Sequence, residues 1–566
     1  MEPADTGPAD RARPRPGASA DGLDDDARYL HRLGYSQELV RTMGGFSSFA
    51  IGFSVVSILT GAVILFGYGL ALGGPAAVGI GWPVVSLFTL AVAAGMAELA
   101  SVWPTAGGLY YWAVVLRDHR WGWWVAWLNL GGLVSALAGI DYAAAGFLCV
   151  TILRPAFGIE PNGETFGVLN AIWVTGILMA IQAAFAIAGS RVIAVLNDLS
   201  AWWHLAFVAA IVIALALFGS VPANPVELAF SVAPGGSIGG QPVATVVPLG
   251  VAGALLLSFL QAQWTYTGYD APAHVAEETR GARHASGRGV FLSVAVSAVA
   301  GYLFLMALVL RMPPVGELLG PGGSGYPVHD ILVANLGGGL ALGGLLSAGV
   351  TVAMVLCGFS AVAAASRMGY AFSRDDGIPG STWLKRIHPR WRTPANATIA
   401  LVASAWLLIA GVYVVVRAVG GDPTFLIAGI TGVSTVLLYW AYGACIWLGL
   451  RSRRSWRDER AWSLGRWSRP VAIVAVAWVV LITPVLLWPV EVYNPAGLVT
   501  ALAFLAFLAA AWWLRARARF RGPAHLASAA MLDAAAAAIP AATVAPRSEE
   551  HTSELQSRGL ISYAVF

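Results

Sequence analysis

Apolar residues in this 566-residue chain run in long blocks rather than in alternation, and polar residues are confined to the short connections between them. A helix of about 20 apolar residues crosses the hydrocarbon core of a bilayer. The pattern predicts twelve spans, near 44–70, 79–101, 122–152, 167–188, 192–218, 247–276, 289–311, 332–361, 396–417, 422–449, 470–489 and 495–515. The expected fold class is therefore an all-α membrane protein with twelve transmembrane helices, and the lipid bilayer is its first partner. Composition points the same way. Charged residues make up 11% of the chain, where a soluble domain carries about 25%, so no water-soluble surface could be covered.

The connections also set orientation, because basic residues collect on the cytoplasmic side. Those after even-numbered spans carry Arg117 and Arg120, Arg191, Arg280 to Arg288, Arg374 to Arg392, and Arg451 to Arg460; Arg515 to Arg521 follow the last span. The other side offers little beyond Arg154, Arg311 and Arg417. Both termini are expected in the cytoplasm of a cell whose plasma membrane holds the chain. The net charge of +4 is spread over these connections and does not suggest nucleic acid. Trp121, Trp123, Trp124, Trp202, Trp203, Trp488, Trp512 and Trp513 fall near span ends, as an aromatic belt does. Cys149, Cys357 and Cys445 lie inside apolar blocks and read as small hydrophobes, without disulfide or metal.

Residues 1–41 lack the apolar core of a cleaved signal peptide and read as a disordered cytoplasmic tail with a short amphipathic end near Tyr29 to Leu39. At the other end, RSEEHTSELQSRGLISYAVF (547–566) looks like the translation of a short-read sequencing library adapter and is set aside as a non-biological scar. The Ala-rich 522–546 is a tail of doubtful origin. Between them the chain divides into 42–218 (spans one to five), 219–449 (spans six to ten) and 450–521 (spans eleven and twelve with a cytoplasmic loop).

Two spans carry polar residues where lipid cannot satisfy them. The first has Ser54, Ser57, Thr60 and Gly61 within its apolar run. The sixth has Gln261, Gln263, Thr265, Thr267, Gly268 and Asp270 near its centre, with Pro272 just beyond. Broken helices at membrane depth persist only where they line a protein cavity. Breaks five spans apart suggest two five-helix halves inserted with opposite orientation. A half-helix beginning near Gly61 would offer free amides and a positive dipole end to an anion. Carbonyls near Ser57 to Leu59 and Tyr266 to Gly268 would face an ammonium group, so a zwitterion fits both. Packing alone explains many glycines and serines in membrane helices, and stands beside this reading.

FAIGFSVVSILTG (49–61), AELASVWPTAGGLYYW (97–112), YTGYDAPAHVAEETRGA (266–282) and SRMGYAFSRDDGIP (366–379) resemble the amino acid–polyamine–organocation permeases. The likeness covers about 35–515 and is nearest to the amino acid, 4-aminobutyrate and choline permeases. It implies a five-plus-five inverted-repeat (LeuT-like) core with two further C-terminal helices, alternating access, and a substrate site between the first and sixth spans. Carried over by position, that site falls on Ser57, Ile58, Leu59, Thr60 and Gly61, and on Trp264, Tyr266, Thr267, Gly268 and Tyr269. Asp270 takes the place of a gating acid, with Trp264 and Tyr266 as a lid. The first-span motif SILTG is less glycine-rich than is common in the family, which leaves room for a γ-amino acid or choline.

Charged residues inside the spans keep two readings each. Asp141, in the third span, either pairs with a substrate amine or proton, or is a structural hydrogen-bonding group. His204, in the fifth, either changes charge near neutral pH as a coupling group or donates to a neighbouring carbonyl. Glu98 and Arg367, with Arg374, Asp375, Asp376, Glu277 and Glu278, either form an ion-pair gate or mark the membrane interface. The Arg451 to Arg460 run reads as a topology signal.

The expected function is secondary-active transport of an amino acid or related small amine, coupled to protons, with no cofactor or metal and no covalent catalysis. A non-transporting receptor on the same scaffold, or a choline or polyamine permease, is the alternative. No GxxxxGK[ST] loop and no HExxH pair occurs.

Overall fold

Helices form wherever the apolar blocks run, because a backbone surrounded by lipid can bond only to itself. The computed structural model describes residues 20–238, 240–418, 426–456, 459–488, 497–524 and 526. Among these, eleven helices are long and apolar enough to cross a membrane: Gly45–Ala62, Ala77–Val102, His119–Phe157, Asn170–Ile187, Ser190–Phe218, Ala282–Leu310, Leu342–Arg374, Ala395–Val415, Gly429–Arg451, Gly465–Leu487 and Leu498–Arg519. The remaining expected span, the sixth, is present in pieces. It runs as Gly250–Ser258 and Leu260–Thr265, unwinds, and resumes as Ala271–His274.

The eighth span differs from the sequence reading of 332–361. A short helix, Pro327–Leu336, ends at Gly337, and the spanning helix begins only at Leu342 and continues to Arg374. Gly337 and Gly339 take φ of +77° and +63°, a left-handed backbone that stops a helix. Gly337 to Gly339, inside the expected bounds 332–361, thus belong to the turn before the spanning helix.

The first span packs against the fifth and seventh, the second against the seventh and eleventh, and the third against the fourth, eighth and tenth. Outside the bundle, Glu164–Thr165 pairs with Val168–Leu169 and Ser237–Ile238 with Gln241–Pro242, both antiparallel.

The segment before the first span, expected as a disordered tail with an amphipathic end near Tyr29 to Leu39, is ordered from Ala20 onward. Ala20–Arg32 is a helix. The stretch from there to Met43 is tied across the basic end of the bundle. Arg41 donates to the Ala276 and Thr279 carbonyls (3.1 and 2.6 Å), the Thr42 and Met43 amides donate to the Glu278 carbonyl (both 3.0 Å), and Met43 bridges to Thr279. Leu30, Tyr35, Leu39 and Met43 are buried against the bundle, on and beside the amphipathic end expected near Tyr29 to Leu39. Residues 1–19, the tail 527–546 and the adapter-like 547–566 lie outside the described residues.

Candidate functional site

The first span breaks at Ser57, whose φ of +37° and ψ of 90° no helix accommodates. Gly45–Val56 ends there, and Ile58–Ala62 continues as a single wide turn. The Thr60 and Gly61 amides turn back to the Ser57 carbonyl at 2.9 and 3.0 Å. The half-helix therefore starts at Ile58, one turn earlier than the sequence reading placed it, and its leading amides belong to Ile58 and Leu59 rather than to Gly61. Gly61 serves another purpose. A Cβ built there would lie 2.7 Å from the Thr265 Cα of the sixth span, so only glycine allows the two spans to approach this closely.

Around Ser57 the polar groups are shared among spans. Its hydroxyl lies 2.7 Å from Thr60 Oγ1 and 2.6 Å from His204 Nε2 of the fifth span. His204 Nδ1 sits 2.7 Å from the Ser200 carbonyl. A carbonyl only accepts, so Nδ1 carries a hydrogen and, in the neutral ring, Nε2 accepts from Ser57. Both readings of His204 thus survive: it bonds a carbonyl and it touches the break. The Cys357 thiol of the eighth span donates to the Val55 carbonyl at 3.5 Å.

In the sixth span the unwound stretch is Tyr266 to Asp270, with Gly268 at φ +77°. A side chain at Gly268 would also meet Val55 Cγ1 at 2.3 Å. Asp270, fully buried, fixes this stretch. It accepts from Tyr442 Oη (2.7 Å), from Asn129 Nδ2 (2.9 Å) and from His274 Nε2 (3.0 Å). Tyr442 Oη in turn accepts the Gly268 amide at 3.2 Å. Spans three, six and ten therefore converge on one carboxylate. Sequence reading finds Asp270 but misses Asn129, His274 and Tyr442; in a chain read alone, nothing distinguishes a tyrosine 172 residues away in sequence as its partner.

Trp264 and Tyr266 part company. Trp264 borders a void of about 10 Å³, room for about one water, together with Thr60, Gly61, Thr267, Ile140 and Cys357. Its indole N–H has no partner among the described residues. Tyr266 turns away from that void. Its hydroxyl lies 2.6 Å from Ser86 Oγ of the second span, its ring packs at 5.0 Å on Trp82, and its carbonyl accepts from Tyr439. Only Trp264 of the expected lid pair faces the void. Tyr269, also buried, lies against Tyr442 at 5.0 Å.

Asp141 stands apart, between the fourth and eighth spans. One oxygen accepts from Gln182 Nε2 at 2.8 Å and the other has no protein partner among the described residues. A carboxylate so enclosed is stable only when neutral or when a cation is brought to it.

At the basic end the acids and arginines pair, but not as one group. Arg367 meets Glu278 at 2.7 Å with both side chains fully enclosed, and Arg374 meets Glu277 at 3.1 Å. Both pairs tie the eighth span to the stretch following the sixth. Asp375 accepts from Tyr35 (2.7 Å) and Tyr110 (3.0 Å), and Arg374 lies 3.8 Å over the Tyr35 ring. Burial holds the Asp375 carboxyl above the usual carboxylate range, against the pull of Arg374. Asp376 instead pairs with Lys385 at 2.9 Å, both partly exposed. Glu98 is elsewhere. It pairs with Arg460 and takes the Leu464 amide and the Ser468 hydroxyl. Glu98 and Arg367 thus pair with different residues rather than within one cluster, and Arg460, read as a topology signal, also anchors the loop before the eleventh span to the second span.

A family model described as amino acid permease matches residues 43–512. The amino-acid permease BAT1 of Arabidopsis thaliana is 30% identical over 513 residues, covering 87% of this chain and 95% of the relative. Its homolog in Oryza sativa subsp. japonica is 29% identical over 87% of this chain and 94% of its own. A putative polyamine transporter of Candida albicans is 26% identical over 82% of each.

Proposed function

Because the chain belongs to the amino acid permease family, we propose that it moves an amino acid or related small amine across the plasma membrane by proton-coupled alternating access. It is a multi-pass membrane protein of a transporter family. One observation supports the position of the substrate. The interruptions at Ser57 and at Tyr266 to Asp270 face each other across a void bordered by Trp264, Thr60 and Thr267. A substrate carboxylate would meet the Ile58 and Leu59 amides at the positive end of the half-helix. Its amine would face the unwound main chain. Room for one water is too little for such a solute, so loading requires the first and sixth spans to part.

His204 is assigned the proton. Protonation turns Nε2 from acceptor to donor toward Ser57, which reverses the bond that holds the break. Asp141, the buried carboxylate with an unmet oxygen, is assigned as a second proton carrier, since it lies apart from the void that the amine enters. The basic end, with both termini, faces the cytoplasm, and the ion pairs of Arg367 and Arg374 close that mouth while the site opens outward.

The test is uptake of a labelled panel of amino acids, 4-aminobutyrate, choline and polyamines into sealed liposomes. Saturable uptake with counterflow is expected, driven by an imposed pH gradient and made insensitive to it by His204→Gln. Binding without counterflow would make the protein a receptor. Initial rates unchanged when the pH gradient is collapsed would remove proton coupling. Asp141→Asn should weaken the response of uptake to the pH gradient, whereas Asp270→Asn, which loosens the unwound stretch, should lower the rate for all.

A further inference from the structure

A second cavity, far larger than the void at the two breaks, opens on the flank of the bundle. It holds about 480 Å³, in the range that takes a drug-sized ligand. Its walls are the third span at Trp127 to Val134, the eighth at Gly369, the ninth at Ala397 to Ser404, Phe504 of the twelfth, and the 378–384 connection. The ninth and twelfth spans are the least buried of the bundle, with Leu407, Leu502 and Phe507 each more than half exposed. The mouth between them therefore faces lipid and not water.

The lining is apolar apart from three side-chain groups. Ser404 Oγ is spent on the Ala400 carbonyl at 2.8 Å. The other two are the indoles of Trp127 and Trp383, and the buried Trp127 N–H has no partner among the described residues. A dry pocket of this size with one unmet donor suits a hydrocarbon chain that ends in an acceptor. The position of the mouth is set by Trp383 and Trp391, 45% and 40% exposed, which mark the headgroup level. Arg386 and Arg390 are exposed, the first of them two residues beyond the wall residue Leu384 and the second beside Trp391 in sequence.

We propose that this flank is a binding site for one anionic phospholipid, its acyl chain in the cavity and its phosphate against Arg386 and Arg390. The Trp127 N–H then meets an ester oxygen. Gly369 in the wall lies between Arg367 and Tyr370 of the eighth span, so the bound chain packs directly behind the residues that close the basic mouth. The site is independent of the transport reading, since it requires only the bilayer.

The test titrates purified, delipidated protein with palmitoyl-oleoyl phosphatidylglycerol and with phosphatidylcholine of the same chains, scored by native mass spectrometry. Phosphatidylglycerol is expected to be retained about tenfold or more over phosphatidylcholine, the size of effect that two basic residues at a headgroup supply. The double variant R386Q/R390Q should abolish the preference, and Ala400→Phe, which fills the cavity, should reduce retention of both lipids. Phosphatidylglycerol with a photoreactive group in its acyl chain should label the unaltered protein at peptides containing Trp127 and Leu401. Equal retention of the two lipids, a preference that survives R386Q/R390Q, labelling spread over all lipid-facing helices, or stronger retention of a sterol would each overturn the proposal.

Discussion

Gly61→Ala asks whether the first and sixth spans touch as closely as the structure places them. The added methyl carbon would sit 2.7 Å from Thr265 Cα and 2.9 Å from its Cβ, where carbon atoms prefer about 3.5–4.0 Å. Main chain cannot swing aside, so the spans must separate by about 1 Å. Overpacking of this kind costs about 1–3 kcal/mol. The cost falls on the closed arrangement alone, because it vanishes once the spans part. The balance between closed and parted forms then shifts by about 5- to 150-fold. Cys357 reports that balance, since it is fully buried and borders the same void as Gly61. With Cys149 and Cys445 replaced by alanine, Cys357 should be alkylated by a small membrane-permeant maleimide faster in Gly61→Ala by a factor within that range. Maximal uptake should fall. Alkylation and uptake both unchanged would mean that the two spans do not meet at this point, and the reasoning about the void would go with it.

Arg367→Leu leaves Glu278 enclosed without its cation, and breaking a buried pair from one side costs about 3–5 kcal/mol; the thermal midpoint should drop sharply and recover in part with Glu278→Gln added. Equal losses in single and double variants would mean the pair is not what matters. Tyr442→Phe removes the donor to Asp270 and the acceptor of the Gly268 amide, about 1–3 kcal/mol, and uptake should fall more than stability because the unwound stretch loses its anchor. Asp375 supplies a pH test. Its carboxyl is raised by burial, so the folded protein holds that proton more tightly than the unfolded chain. Its stabilising contribution is full below the ordinary carboxylate pKa and is lost as pH rises through the raised one. Scans of the midpoint from about pH 4 to about pH 7 should therefore show Asp375→Asn gaining on the unaltered protein as pH rises, and parallel curves would contradict the assignment.

The two breaks are readable because serine, threonine, glycine and aspartate inside an apolar run have no reason to be there unless protein surrounds them. Their exact seats are not. Gly61 looks in sequence like the start of a half-helix, but its missing side chain is used for contact with Thr265, while the backbone turn falls at Ser57. Trp264 and Tyr266, alike in sequence, separate because their backbones lie on either side of the point where the helix unwinds. The partners of Asp270 and Glu98 are invisible for a different reason. Asn129, Tyr442 and Arg460 are ordinary residues brought together only by packing of distant spans, and no local periodicity encodes such a meeting. The segment 20–43 is legible only in part: its buried Leu30, Tyr35 and Leu39 give the amphipathic end, but its bonds to the Ala276–Thr279 main chain leave no mark in sequence.

That attachment carries a practical warning. The strip it binds lies at the far end of the interrupted sixth helix, so any tilt of that helix must either drag the leader along or peel it off. Shortened versions beginning at the first apolar residue would lack that attachment altogether. They should part at the basic end more readily than the full chain, and an inward-facing shape seen in such a protein would say little about the resting one.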